Sequence, residues 1–359
     1  MLPSKSMQAV IMAAGQSTRT HPLTLTRPKP LVPIWDRPLL EHQLGQLDGL
    51  MDEVILVVGF LREQIEARFG DSYHGIRIRY ALQERQRGTA DALLAARPLL
   101  TSRTLVLNGD DFYHRDDLRE LASRGRGILV SRAKDPQNRA VVQLDGDVVT
   151  GIVEKPRDPP RDAWCSIGGY CVEKDDLPYL DDITLSPRGE LELPDFILLL
   201  VQTKEVRAKT IDRFWLPITY SWDVLRAALF LWEEPARARE LGLEGPVHLA
   251  GNVRVHETAR LEGPTAIGSG SRIAASAVVE RSILFDDVEI GAGAIVADSV
   301  LGQGVSVGAS ARIESLPGAE LEIEVKGKKV VPEIDRLGAV VRDGASIAAG
   351  TVVRAGSLI

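Results

Sequence analysis

The sequence predicts an α/β domain with a mostly parallel sheet followed by a parallel β-helix, and three observations carry that prediction: chain length, a strand and helix alternation through the first two-thirds, and a six-residue repeat in the last third. At 359 residues the chain is long enough for two domains, each able to bury its own core. Short aliphatic runs at residues 9–14, 53–58, 76–81, 104–107, 127–131, 140–144 and 168–172 read as strands, the first four as strands covered on both faces. Between them, residues 39–47, 61–69 and 89–99 place apolar side chains three and four apart, as a helix with one buried face requires, and Thr89 stands where an N-cap is expected.

The repeat begins near Val247. Leu249, Val255, Leu261, Ile267, Ile273 and Val279 stand six apart; after a five-residue step so do Leu284, Ile290 and Val296, then Leu301, Val307 and Ile313. Val341, Ile347 and Val353 resume the pattern. Glycine often follows the aliphatic residue, as at Gly268, Gly291, Gly302 and Gly308. A run of short antiparallel strands would show a period of two and no recurrent glycine, whereas three hexapeptides per turn with their aliphatic side chains stacked inside account for both features. An aromatic content of 5% suits so narrow a core. The expected organisation is an extension at 1–6, the α/β domain at 7–235, a linker at 236–246 and the β-helix at 247–359, with an inserted segment near 317–336 that carries Lys326, Lys328 and Lys329.

Charge narrows the range of partners. With 43 basic and 50 acidic residues the net charge is −7, which provides no broad positive footprint for nucleic acid or an anionic membrane, so an anionic ligand must be met by a local cluster of cations. The strongest apolar stretches, 54–58 and 196–201, fall far short of the roughly 18 residues of a membrane span, and no cleavage site follows the first apolar run, so a cytoplasmic protein is expected. Cys165 and Cys171 match no zinc or redox spacing and are expected to be reduced packing residues.

The strongest local signal follows the first strand. It reads Met12-Ala13-Ala14-Gly15-Gln16-Ser17-Thr18-Arg19, then Pro22-Leu23-Thr24, then Arg27-Pro28-Lys29-Pro30-Leu31. Small residues at Ala13, Ala14 and Gly15 leave backbone N–H groups open to phosphate oxygens, while Arg19 and Lys29 supply charge. Neither a Walker loop nor a Rossmann fingerprint fits, because Thr20 and Ser17 stand where those motifs need glycine. Three further segments follow: Gln83-Glu84-Arg85-Gln86-Arg87-Gly88-Thr89, Val106-Leu107-Asn108-Gly109-Asp110-Asp111, and Ile152-Val153-Glu154-Lys155-Pro156. The second of these delivers an acidic residue at the carboxyl end of a hydrophobic strand, where open α/β sheets place ligands.

In order and spacing these segments resemble the signature of the sugar-phosphate nucleotidylyltransferases, whose Rossmann-like domain is followed in some members by a left-handed β-helix. The resemblance implies that Gln83, Gly88 and Thr89 serve the base, that Arg19 and Lys29 serve the triphosphate, and that Asp110 holds Mg²⁺. It also implies that Glu154, Lys155, Ser166 and Gly168 receive the sugar 1-phosphate. Over almost the whole chain the sequence resembles archaeal-type bifunctional glucosamine-1-phosphate acetyltransferase/N-acetylglucosamine-1-phosphate uridylyltransferases, which implies transfer of a nucleotidyl group from UTP or dTTP to an N-acetylglucosamine or glucose type sugar 1-phosphate.

Several positions depart from the pattern. Pro217 stands in place of the second metal-binding aspartate, with Asp223 the nearest substitute, while Ser166 and Ala140 replace the usual asparagine and glycine of the sugar side. Residues 308–316 have lost most of the polar signature of the acetyltransferase, and His248 and His256 are expected at solvent-facing turns, not as bases. The β-helix is therefore expected to serve assembly, as a trimer. A catalytically weak regulatory subunit that binds a nucleotide sugar is one alternative reading, and an additional acetyl-CoA-dependent acetyltransferase activity in the β-helix is another.

Overall fold

The computed structural model of the chain describes residues 7–233 and 246–359. The extension at 1–6 and all but Pro246 of the linker at 236–246 lie outside the described residues. By packing, the chain forms two compact units that do not follow sequence order: Met1–Gly15 with Leu40–Leu216, and Gln16–Leu39 with Pro217–Ile359.

The first unit is built on a ten-stranded sheet of β1 (Gln8–Met12), β2 (Glu53–Val58), β3 (Ser72–Tyr73), β4 (Ile76–Leu82), β5 (Thr104–Asn108), β6 (Gly127–Arg132), β7 (Ala140–Asp145), β8 (Val148–Glu154), β9 (Trp164–Val172) and β10 (Arg207–Thr210). Their order is β7-β8-β10-β6-β9-β5-β1-β2-β4-β3. Strands β5, β1, β2 and β4 run parallel, with Val10 level with Ile55 on one side and Val106 on the other, all three fully buried. This double burial explains the unbroken aliphatic runs. Because β1 takes β2 on one flank and β5 on the other, the chain reverses its direction of winding there, and the carboxyl ends of these strands are where open α/β sheets bind ligands.

Helices α1 (Leu39–Leu47), α2 (Arg62–Phe69) and α3 (Thr89–Ala96) form where the apolar spacing predicts them. Helix α3 ends three residues early because Pro98 has no N–H to continue the ladder, and residues Arg97–Leu99 tighten into a 3₁₀ turn. Helices α4 (Arg115–Arg124) and α5 (Leu193–Val201) complete the set in this unit. In β9, a shift of register between Ser166 and Tyr170 accommodates Gly168 and Gly169, so this strand begins earlier than the aliphatic run alone predicts. Cys165 and Cys171 are free and buried on β9, and burial pushes their thiols up to about 11 and about 12 respectively.

The second unit contains α6 (Asp223–Glu233) and a three-faced stack of parallel two- and three-residue strands, the architecture expected of a left-handed β-helix of hexapeptide repeats. Its core is the predicted aliphatic column, with Ile267, Leu284, Leu301 and Val341 superposed on one face and Ile273, Ile290, Val307 and Ile347 on the next. Leu249 and Val255 of the first coil remain exposed, since among the described residues no coil stacks beyond them. Buried hydroxyls form a ladder down one corner: Thr265 accepts from the Ser282 backbone N–H and Ser282 from the Ser299 N–H, each 17 residues on, and Ser299 from the Ala339 N–H, 40 residues on. The longer last step is the insertion, closed at its neck by pairing of Leu316–Pro317 with Arg336–Leu337 and ending in a hairpin of Ile323–Val325 and Lys328–Val330.

At the base of this insertion the buried Asp298 carboxylate accepts from Arg281 Nε at 2.7 Å and Nη2 at 2.8 Å, and also from the Ser315 hydroxyl. Replacing Asp298 by alanine leaves Ser315 without this acceptor and the half-exposed Arg281 guanidinium with only its longer contact to Glu280; the expected loss, read by urea denaturation, is about 1–3 kcal/mol.

Candidate functional site

Three of the predicted segments meet at the carboxyl ends of the parallel strands in the first unit. Ala13 and Ala14 leave β1 buried, with the Ala13 N–H still bonded to Val57 O at 2.8 Å and Ala14 O accepting from Phe60 N. Gly109, just past β5, donates to Met12 O at 3.0 Å, and a Cβ there would stand 2.3 Å from that oxygen, so only glycine permits β5 to come this close. Asp110 follows, half-buried, while Asp111 is buried and accepts from Asn108 Nδ2 at 3.0 Å and the Tyr113 hydroxyl at 3.1 Å. Gln83 follows β4; its amide nitrogen donates to Asp91 Oδ2 at 2.9 Å and Gly88 O at 3.1 Å, which leaves Oε1 as the acceptor presented by this side chain.

Gly88 has φ +119°, and a Cβ there would lie 2.2 Å from Leu191 O. Thr89 begins α3 but is not its side-chain cap: its hydroxyl accepts from Leu193 N at 3.0 Å, tying the start of α3 to the start of α5. The helix therefore relies on Gly88 and its close backbone packing instead of the hydroxyl cap expected from sequence.

On the side of β8 and β9, Glu154 is mostly buried and opposes Ala140 across the β7–β8 pair. Lys155 Nζ lies 3.3 Å from the Glu154 carboxylate and Arg188 Nη2 3.9 Å from it, while Arg188 is also paired with Glu192. Burial is the main cause that raises the Glu154 pKa; Lys155 and Arg188 pull it down, and Glu192 adds to the rise. Ser166 donates to the Tyr170 hydroxyl at 2.9 Å and accepts from Gly168 N at 3.3 Å, so its hydroxyl holds the irregular turn of β9. Gly168, at φ +79°, passes so near the Asn108 amide that a Cβ would overlap it.

Arg19 and Lys29 belong to the second unit. Arg19 lies in a short 3₁₀ turn held by the Thr20 and Thr24 hydroxyls on Ser17 O. Lys29 is 3% exposed and opens another 3₁₀ turn between two prolines, and its charge acts on the buried Asp223 carboxylate. Asp223 is not disposed as a metal ligand. Its Oδ2 accepts from Thr219 N and Tyr220 N at 2.8 Å each, and its Oδ1 meets Arg226 Nε at 3.0 Å. Arg226 Nη2 donates to Pro217 O at 2.8 Å, so the backbone at the position of the missing aspartate is also engaged. Among the described residues no cluster of three or more His, Cys, Asp or Glu side chains forms a metal site, and no helix is long and apolar enough to cross a membrane.

Residues 8–233 match the family model for nucleotidyl transferases, and residues 243–357 match the model of the GMPPB C-terminal domain. The chain belongs to the nucleotidyl transferase family. It is 32% identical over 255 residues to the bifunctional protein GlmU of Methanococcus maripaludis, covering 70% of this chain and 61% of that protein's length. It is 31% identical over 297 residues to a glucose-1-phosphate thymidylyltransferase of Streptomyces griseus, covering 78% of this chain and 83% of that protein. A bifunctional sugar-1-phosphate nucleotidylyltransferase/acetyltransferase of Sulfurisphaera tokodaii is 29% identical over 368 residues, covering 93% and 90%. A crystal structure of UDP-glucose pyrophosphorylase complexed with UDP-glucose shares the fold at a TM-score of 0.57 and 20% identity, covering 64% of this chain and 99% of that one.

The nucleotidyl transferase unit uses three side chains that sequence reasoning left out. Gln86 donates from Nε2 to Ala14 O at 2.8 Å and so links the segment after β4 to the loop after β1. Asn108 ties Asp111 to β5, and Arg188 is a second cation beside Glu154. Gln86 and Asn108 lay inside recognised motifs, but only the pairing of strands shows what they hold. Replacing Gly88 by alanine is expected to cost roughly 1–3 kcal/mol from strain at positive φ, with thermal melting as the check.

Proposed function

We propose that this chain transfers a nucleotidyl group from UTP or dTTP to a sugar 1-phosphate, releasing pyrophosphate. The observation that carries the reading is the gathering of Ala13–Gly15, Gln83, Gly88 and Asp110 at the carboxyl edge of parallel strands β1, β4 and β5, at the point where the sheet changes its direction of winding. Gln83 Oε1 is an acceptor that can take the imide N–H that uracil and thymine share, which fits these bases.

In the reaction, a phosphate oxygen of the sugar 1-phosphate forms a bond to the α-phosphorus, and the bond from that phosphorus to the bridging oxygen breaks in line, the electron pair leaving with pyrophosphate. The attacking phosphate is already ionised near neutrality, so no general base is needed. Catalysis then consists of positioning and charge neutralisation. Arg19 and Lys29 hold the triphosphate and the departing pyrophosphate, Lys155 holds the attacking phosphate, and Glu154 accepts from sugar hydroxyls. Ser166 acts by shaping the Gly168 turn, since its hydroxyl is already engaged.

The donor chemistry of Asp110, a hard carboxylate oxygen at the strand end, fits Mg²⁺ held by one carboxylate with phosphate oxygens and water completing the shell. When bound, that ion offsets charge on the nucleotide phosphates. A regulatory subunit is the second reading, favoured by the engagement of both Pro217 O and Asp223 with Arg226. On either reading the β-helix is the assembly element, with a trimer the expected state.

Pyrophosphate release measured with Mg²⁺ across four nucleoside triphosphates and a panel of sugar 1-phosphates decides between the two. Transfer predicts release with UTP or dTTP that falls by roughly 100-fold or more in Lys29→Ala and Asp110→Asn. Saturable nucleotide binding without release favours the regulatory reading. A pH profile tests Glu154: because its pKa is raised, its carboxylate forms only above the usual glutamate range, so KM for the sugar phosphate is expected to fall as pH rises through that interval. Glu154→Gln removes this component and leaves the titration of the substrate's own phosphate.

A further inference from the structure

The segment that carries Lys29 is fastened to the β-helix on both sides of that lysine. Before it, Arg27 donates to Asp343 Oδ2 from Nη2 at 2.7 Å and Nε at 3.2 Å, and its guanidinium lies 5.1 Å from the centroid of the buried Phe285 ring. The Thr26 hydroxyl donates to the same Asp343 oxygen, and Asp343 Oδ1 accepts from Gln303 N at 2.7 Å, so both carboxylate oxygens are fixed. Beyond Lys29, Asp36 Oδ2 meets His248 Nε2 at 3.0 Å, and the buried Trp35 ring packs edge-on against the His248 ring. His248 thus lies on a β-helix strand with a carboxylate partner, where the sequence predicts a solvent-facing turn. Burial lowers the His21 pKa, and the charge of Lys326 on the inserted hairpin lowers it further, which brings that hairpin electrostatically to the same segment.

Chain stiffness converts these contacts into control of Lys29. Arg27 is separated from Lys29 only by Pro28, and Pro30 follows, so ring-fixed φ angles leave little backbone freedom between the anchored Arg27 and Lys29, whose side chain is itself buried. We propose that the β-helix is a working part of the nucleotide site, in which Asp343 and His248 act as positioning residues that hold the 26–36 segment and thereby set the place of Lys29. This inference rests on the nucleotidyl-transfer reading. It gives the repeat domain a role in the reaction itself, independent of assembly.

The test compares full-length wild type with Asp343→Ala, the milder Asp343→Asn and Arg27→Lys, and Asp298→Ala as a control for damage elsewhere in the β-helix. Pyrophosphate release gives KM for the nucleotide and for the sugar phosphate separately. A position-setting role predicts a nucleotide KM raised about tenfold in Asp343→Ala, with the sugar-phosphate KM within about twofold of wild type. The milder variants should fall between, which keeps the test open if Asp343→Ala folds poorly. On a Lys29→Ala background the same change should add almost nothing, because two residues acting through one group are not additive. A nucleotide KM that stays at the level of the Asp298→Ala control, or full additivity with Lys29→Ala, overturns the inference while the transfer reading stands. Wild type that neither binds nor turns over any nucleotide overturns both.

Discussion

Burial of the Lys29 ammonium constrains much of the second unit. At 3% exposure this group has lost nearly all contact with water, a situation that costs several kcal/mol unless other charges and dipoles compensate. Asp223, itself 4% exposed, is a buried carboxylate on which the Lys29 charge acts, and it too must be supported. Two backbone N–H groups and Arg226 provide that support, and Arg226 is in turn fixed on Pro217 O. Burial alone raises the Asp223 pKa, while Arg226, the two N–H donors and Lys29 favour its ionised form. The result is a cation held by structure in a chain whose net charge is −7, and a polyphosphate ligand has need of such a cation.

That arrangement explains why packing and sequence order disagree about where the chain divides. Residues 16–39 belong to the nucleotidyl transferase match, yet they pack in one unit with the β-helix and α6. Trp35 shows how: its ring is 5.9 Å from that of Trp232 and 6.4 Å from that of His248, and its Nε1 donates to Ala228 O at 3.2 Å. A large aromatic side chain buried with its polar atom satisfied is a strong local anchor. A long loop with little regular structure of its own takes its order from surfaces supplied by other parts of the chain, against which its apolar side chains are buried.

The sequence made the repeating and the motif-bearing parts legible, because each has a local signature. The hexapeptide column from Ile267 to Val353 is the observed core, and the parallel strands β1, β2, β4 and β5 lie where their apolar runs stand. Pairing across the chain was not legible. Helix α5 is short and apolar on nearly every side, so no periodicity marks it; β8 has its aliphatic pairs split by Thr150 and Gly151, and β10 is only four residues long. Thr89 reads as an N-cap by its position, but Leu193, more than a hundred residues away, takes its hydroxyl. The partners of Arg27 and Asp36 are similarly invisible, since Asp343 and His248 occupy ordinary outward positions in a repeat whose pattern concerns only its inward residues.

Proline at position 217 shifts weight onto these held cations. A proline contributes no side-chain oxygen, and with Asp223 engaged by Arg226 and two backbone N–H groups, Asp110 is the carboxylate left to the metal-binding positions of the family pattern. A cation site with a single protein carboxylate owes more of its shell to phosphate and water, and so depends on the triphosphate already lying in the correct place. On the proposed transfer reading, placement of the triphosphate then falls to the backbone after β1 and to Arg19 and Lys29. Small displacements of such charges are costly, because their interaction with phosphate oxygens depends on distance and on exclusion of water. A mobile loop would serve poorly in that role, whereas a segment stiffened by Pro28 and Pro30 and pinned at Arg27 and Asp36 keeps Lys29 within narrow limits.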